Sequence, residues 1–182
     1  MKPALLIVDI QNDYFSGGKM TLEGSVEASE KAKLLLAKFR EKGFPVVHIQ
    51  HLSIRANATF LLPNTQGAEI HENVRPLPGE IVIQKNFPNS FRQTALLDRL
   101  KEHSVSELVV AGMMTHMCID ATARAAFDLG FKCTLAHDAC ATKSLAFGET
   151  TVPAQHVHSA FVSALHGIYA DARTALDIIQ RL

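Results

Sequence analysis

The chain has 182 residues, 47% apolar and 20% charged, and its 18 Lys+Arg balance 18 Asp+Glu. At ~150 residues per domain this predicts one domain over 1–182, too apolar to be disordered. Zero net charge excludes the basic footprint of a nucleic-acid binder, and no apolar run reaches the ~18 residues of a membrane helix. The expected partner is a small molecule, with neither nucleic acid nor membrane.

Residues 4–9 form a short apolar run ended by Asp9, the pattern of a strand buried on both faces. From 26 to 42 the periodicity is helical: Ala28, Ala32, Leu35, Leu36 and Phe39 share a stripe, and Gly43 follows as a stop. Residues 45–50 read as a second strand. From 51 to 79 the pattern dissolves among Pro63, Gly67, Pro76 and Pro78. A loop of that length serves as a lid or binding loop, a packed excursion or a subunit contact. Strands are predicted at 81–84, 107–112, 131–137 and 168–170. Helices are predicted at 94–103, 118–129, 153–165 and 172–182. Strands alternating with helices imply right-handed crossovers and a parallel sheet covered on both faces, a three-layer α/β/α sandwich. In such sheets ligands sit at the carboxyl ends of the strands.

Three side chains of complementary chemistry fall at those ends: Asp9 after the first strand, Lys85 after the third, Cys118 just past the fourth. An acid, a base and a thiol at one sheet edge suit nucleophilic catalysis. A thiol opening a helix feels the positive end of its dipole, and a nearby ammonium adds to this, which predicts a favoured thiolate. Taken singly, each also has a plain structural reading: a packed thiol, a capping carboxylate, a surface lysine. Cys133, inside an apolar strand, and Cys140 read as packed thiols, Cys140 lying near the carboxyl edge. An odd cysteine count without a signal-peptide core predicts free thiols and a cytoplasmic protein.

The nine histidines do not group. His48 and His51, three apart near a strand, point to opposite faces, and His156 and His158 have the wrong helical spacing for paired ligands. No metal and no cofactor is expected. Phe15, Phe60 and Phe91 are candidate walls of a small pocket, with core packing as their alternative. His116, in the turn before Cys118, is the polar candidate for substrate contact, and Gln11 and Asn12 are placed to support Asp9.

With Leu5-Leu6-Ile7-Val8-Asp9-Ile10-Gln11-Asn12-Asp13 at the start, Lys85-Asn86-Phe87-Pro88-Asn89-Ser90-Phe91 in the middle and Gly112-Met113-Met114-Thr115-His116-Met117-Cys118-Ile119 at the thiol, the chain resembles the isochorismatase-like cysteine hydrolases, which include nicotinamidases and N-carbamoylsarcosine amidase. The resemblance spans nearly the full length. It implies a Rossmann-like six-stranded parallel sheet and a catalytic triad of Asp9, Lys85 and Cys118. It also implies a cis peptide between Met113 and Met114, an oxyanion hole from the N–H groups of Met114 and Cys118, and a homodimer or higher homo-oligomer. The implied activity is hydrolysis of a small amide through a thioester. Two other readings stay open: a metal-dependent nicotinamidase-type amidase, and a thiol redox or binding module of the same fold. Against the first, residues 47–53 lack the carboxylate that the family's metal-binding members carry after the second strand. The vinyl-ether chemistry of true isochorismatases typically proceeds without a cysteine, so Cys118 argues against it.

Overall fold

The computed structural model describes residues 2–182. In chain order the elements are β1 (Pro3–Val8), α1 (Ser25–Glu41), β2 (Val46–His51), β3 (Ile81–Lys85), α2 (Leu96–Glu102), β4 (Glu107–Met113), α3 (Asp120–Asp128), β5 (Lys132–Ala141), β6 (Leu145–Phe147), β7 (Thr150–Val152), α4 (Ala154–Leu165), β8 (Asp171–Arg173) and α5 (Ala175–Arg181). Six strands pair in parallel in the order β3-β2-β1-β4-β5-β8. The three-layer α/β/α arrangement expected from the alternation is therefore present.

The strand period of two divides the core. Leu5 and Ile7 of β1 join α1 and α5 on one face, whereas Ala4, Leu6 and Val8 join α2, α3 and α4 on the other. On α1 the predicted stripe is the buried one: Ala28, Ala32, Leu35, Leu36 and Phe39. Fully burying a Leu or Phe side chain contributes about 1.5–3 kcal/mol. The helix ends in a Schellman turn: Gly43 adopts φ 65°, its N–H reaches the Arg40 carbonyl (3.0 Å), and the Phe44 N–H reaches Phe39 (3.0 Å).

Several elements differ from the expectation. The strand predicted at 168–170 lies at Asp171–Arg173, and α5 begins at Ala175. Ile168 is 69% exposed, so its hydrophobicity misled; the real strand is a three-residue edge with a polar sequence. The fifth strand continues past His137 to Ala141 and takes Cys140 into the sheet. Residues 145–152 form an antiparallel hairpin, β6–β7, which no apolar alternation announced. The helix predicted from Cys118 is instead a π-helical turn at Thr115–Ile119 that runs into α3.

One contact fixes how closely the central strands approach. Gly112 pairs with Val8 at φ 135°, and a Cβ there would stand 1.9 Å from the Val8 carbonyl oxygen. On the far side of the sheet, Arg40 of α1 grips Glu80 ahead of β3 through two bonds (2.7 and 2.8 Å), and the same carboxylate accepts from the Leu77 N–H (2.8 Å) and contacts buried His48 (3.0 Å). Burial works to raise the Glu80 carboxyl, but Arg40, the Leu77 N–H and His48 outweigh it and hold it at about 2, against an ordinary 4.5.

Two outcomes follow. Gly112→Ala is expected to destabilise by about 3 kcal/mol or more, measured by denaturant unfolding, because both clash and backbone conformation oppose it. Glu80→Gln is expected to cost about 1–2 kcal/mol at neutral pH. For a depressed carboxyl this stabilisation is complete above pH 4.5 and fades as pH falls toward 2, so melting curves of variant and parent should converge as pH drops through that window.

Candidate active site

The strand order reverses between β1 and β4, since β2 and β3 are added on one side of β1 and β5 and β8 lie beyond β4. That switch point is where α/β sheets open a crevice at their carboxyl ends. Asp9 follows β1 there, fully buried with its backbone at φ 53°, a left-handed conformation that Asp tolerates better than most residues. Cys118 arrives from β4 through the π-helical turn. The Met114 carbonyl accepts from the N–H of Met117 (3.0 Å) and of Ile119 (3.2 Å), passing over Cys118. Such π-turns are frequent at functional sites. The Met113–Met114 peptide is cis.

Lys85 ends β3, two strands away from β1, and its long side chain reaches back across β2. Its ammonium lies 2.7 Å from Asp9 Oδ2, 3.2 Å from Cys118 Sγ, 3.1 Å from His51 Nδ1 and 3.1 Å from the Phe87 carbonyl. Asp9 and Lys85 are both buried. Asp9 Oδ1 has no hydrogen-bond partner among the described residues, and a carboxylate oxygen of Asp9 lies within 4.8 Å of Cys118 Sγ. A buried ion pair of this kind is costly to break, because removing one partner strands the other charge.

The electrostatics correct one expectation. Burial pushes the Cys118 thiol well above its ordinary range, the Asp9 charge adds to this, and Lys85 opposes both. The direction runs against the expected thiolate: burial and Asp9 favour the protonated sulfur, and only Lys85 works toward the anion. A second buried anion would face only one cation, whereas the thiol form leaves the cluster neutral. Lys85 is itself held charged: burial lowers it, but Asp9 and Cys118 raise it further.

His51 was missing from the expected site. In the register of β2 and β3 it pairs with Lys85, so both side chains leave the same face of the sheet. Its Nδ1 accepts from the ammonium, which fixes a neutral ring protonated at Nε2. Burial and Lys85 hold it below its usual value against the pull of Asp9. Gln11 anchors the backbone at this point, donating to the carbonyls of His51 (2.9 Å) and Ala68 (2.7 Å) and accepting from the His51 N–H (2.8 Å). Asn12 ties down Gln66 instead (2.9 Å). Asp13, also missed, receives the Leu61 N–H (2.6 Å) and the Lys19 N–H (3.0 Å), and so pins the long loop.

A cavity of about 340 Å³ opens onto Cys118. Tyr14, His51, Phe60, Asn86, Met114 and Met117 contribute to its walls, together with much of the loop from Ser53 to Leu61. Of the expected walls only Phe60 is among them. Phe15 stacks on His71 (3.7 Å between rings) and Phe91 on Phe131 (6.1 Å). His116 turns away to Thr142 Oγ1 and packs against Phe161. The aromatic wall not foreseen is Tyr14, whose hydroxyl is kept protonated by burial and by the nearby Cys118, Asp9 and Asp13.

Asp9, His51 and Cys118 carry the one group of potential metal-ligating atoms among the described residues, all within 4.8 Å of one another. These atoms already surround the Lys85 ammonium, so a divalent ion would be placed against a fixed positive charge, and the set does not fit one. His48 faces the opposite side of the sheet, toward Glu80, as its spacing from His51 predicts. Cys133 and Cys140 are packed thiols that burial pushes up to about 11 and about 12; neither lines the cavity.

No helix among the described residues is long and apolar enough to cross a membrane. Residues 3–160 match the isochorismatase domain family. The uncharacterised isochorismatase family protein YddQ of Bacillus subtilis is 53% identical over 174 residues, covering 96% of this chain and 97% of its own. Streptothricin hydrolase of Streptomyces noursei is 39% identical over 139 residues, 76% of this chain and 49% of its own length. A solved structure from Oleispira antarctica, named as an isochorismatase hydrolase, superposes with a TM-score of 0.95 at 49% identity, covering 98% of this chain and 96% of that one. By that family match and those identities, the chain belongs to the isochorismatase family of hydrolases.

Proposed function

We propose that the protein hydrolyses the carbon–nitrogen bond of a small amide through an acyl thioester on Cys118. The observation that carries this reading is one buried ammonium in contact with both the Asp9 carboxylate and the sulfur of Cys118, the member of the three that lines a cavity.

In the resting state the sulfur holds its proton and Asp9 is ionised. As the Sγ–carbon bond forms, the proton passes to Asp9, and negative charge moves from carboxylate to sulfur and on to the carbonyl oxygen. Lys85 touches both the donor and the acceptor of that proton, so its attraction is transferred rather than lost. The developing oxyanion is held by the N–H groups of Met114 and Cys118, a contribution typically worth about 10²–10³ in rate per donor. Collapse of this intermediate breaks the C–N bond, and Asp9 returns its proton to the leaving amine. Water then gives a proton to Asp9 and attacks the thioester. When the S–C bond breaks, that proton goes back to the sulfur, the acid departs, and the starting state is restored. Neutral His51 contributes a fixed acceptor for the ammonium and presents an Nε2–H.

Cys118→Ala is expected to melt like the parent protein but to release ammonia from amides about 10⁴-fold more slowly or worse. Intact-protein mass spectrometry should find an acyl adduct only when Cys118 is present; substantial turnover by the variant would remove the covalent route. Lys85→Met withdraws the one group that lowers the thiol, so the pH profile of Cys118 alkylation by iodoacetamide should move to higher pH. A profile that stays in place would refute the role given to Lys85.

A further inference from the structure

We infer that Arg55 binds an anionic group of the substrate, so that the substrate class is a short amide carrying a carboxylate, such as the monoamide of a small dicarboxylic acid. This deepens the amide-hydrolase reading and rests on it.

The cavity walls carry no Asp or Glu, and Arg55 is their one permanently charged side chain. It takes part in no ion pair and no side-chain hydrogen bond among the described residues. Arg40, Arg99, Arg124 and Arg173 each hold a carboxylate of the protein, and Arg92 lies over the Phe87 ring at 3.8 Å; Arg75 and Arg181 share Arg55's lack of a partner among the described residues, but neither lines this cavity. The Lys85 charge, buried behind Cys118, is already matched by Asp9, which leaves Arg55 as the uncompensated cation of the site.

The backbone of Arg55, an exposed residue at the cavity rim, is also held in place relative to the chemistry. The loop that carries it is closed at its neck, where the Ser53 N–H donates to the Leu61 carbonyl (2.9 Å) and the Leu61 N–H to buried Asp13 (2.6 Å). Within the neck, the Ala58 N–H closes a turn on the Arg55 carbonyl (3.1 Å). The loop springs from His51, beside Lys85, and the Arg55 charge is near enough to add to burial and Lys85 in holding the His51 ring neutral. The volume of about 340 Å³ is at the small end of ligand cavities, which run from roughly 300 to 1,000 Å³, so a group bound by Arg55 and a carbonyl at Cys118 are joined by a short chain. A guanidinium matches a carboxylate bidentately.

Matched pairs test this: succinamate against succinamide, and glutaramate against glutaramide, which differ by one charge at constant length. With the purified enzyme, ammonia release should favour each anionic member by about 10-fold or more in kcat/KM. Arg55→Met should reduce kcat/KM for the anionic members about 10–100-fold, mainly through KM, and bring each pair's ratio near one; Arg55→Lys should restore part of the preference. Equal use of both members by the parent enzyme, or a ratio unmoved by Arg55→Met, would overturn the inference and show a solvated arginine only. Binding separates this from the amidase reading. In the Cys118→Ala background succinamate should raise the melting temperature, and the added Arg55→Met should abolish that shift. A shift lost in this way without ammonia release by the parent enzyme contradicts hydrolysis but upholds the anion site; no shift contradicts the anion site itself.

Discussion

The structure turns on one buried ammonium shared between two atoms that take turns being negative. Lys85 touches Asp9 at 2.7 Å and Cys118 at 3.2 Å, and none of the three is reached freely by bulk water. A buried lysine is stable only beside a compensating anion, and a buried carboxylate only beside a cation. A cysteine placed as a third member adds a proton that can move within the cluster without changing its net charge. This explains why burial, which makes a lone thiol inert, is compatible with nucleophilic chemistry here: ionisation of the sulfur is coupled to neutralisation of the carboxylate beside the same cation.

The sheet provides that arrangement by simple means. Parallel strands end at a common edge, and the reversal of strand order between β1 and β4 leaves a gap there. Asp9 and the chain leading to Cys118 flank the gap, which Gly112 keeps narrow by letting β4 approach the Val8 carbonyl. Lys85 is two strands distant, and only a side chain of its length spans β2. The loop after β2 then closes one side of the opening, secured by Gln11 and Asp13, two buried polar residues of the segment that follows β1.

Much of this was legible in the residues. The buried stripe of α1 and the double-sided apolar run of β1 showed both the helix and the parallel sheet, because their periods are set by covalent geometry. Asp9, Lys85 and Cys118 were visible as polar residues punctuating strand ends. His51 was not, because its position depends on which residue of β3 it pairs with, and register between strands far apart in sequence leaves no local pattern. The same holds for Tyr14 as a wall in place of Phe15: adjacent aromatics in a 3₁₀ turn carry no period that tells which one faces the cavity. His116 lay close to Cys118 in sequence, but the π-helical turn rotates it toward Thr142. β8 was misplaced because a short edge strand needs few apolar residues, whereas Ile168 beside it is apolar and exposed.

The protonation state of the resting sulfur decides whether the shared ammonium works in this way. Thiolate absorbance in the ultraviolet, read as the difference between the parent protein and Cys118→Ser across a pH titration, measures it directly. The account predicts no thiolate signal at neutral pH in the free enzyme and its appearance only in strongly alkaline solution. A full thiolate signal at neutral pH would show that the proton has already left the sulfur in the free enzyme, and would contradict it.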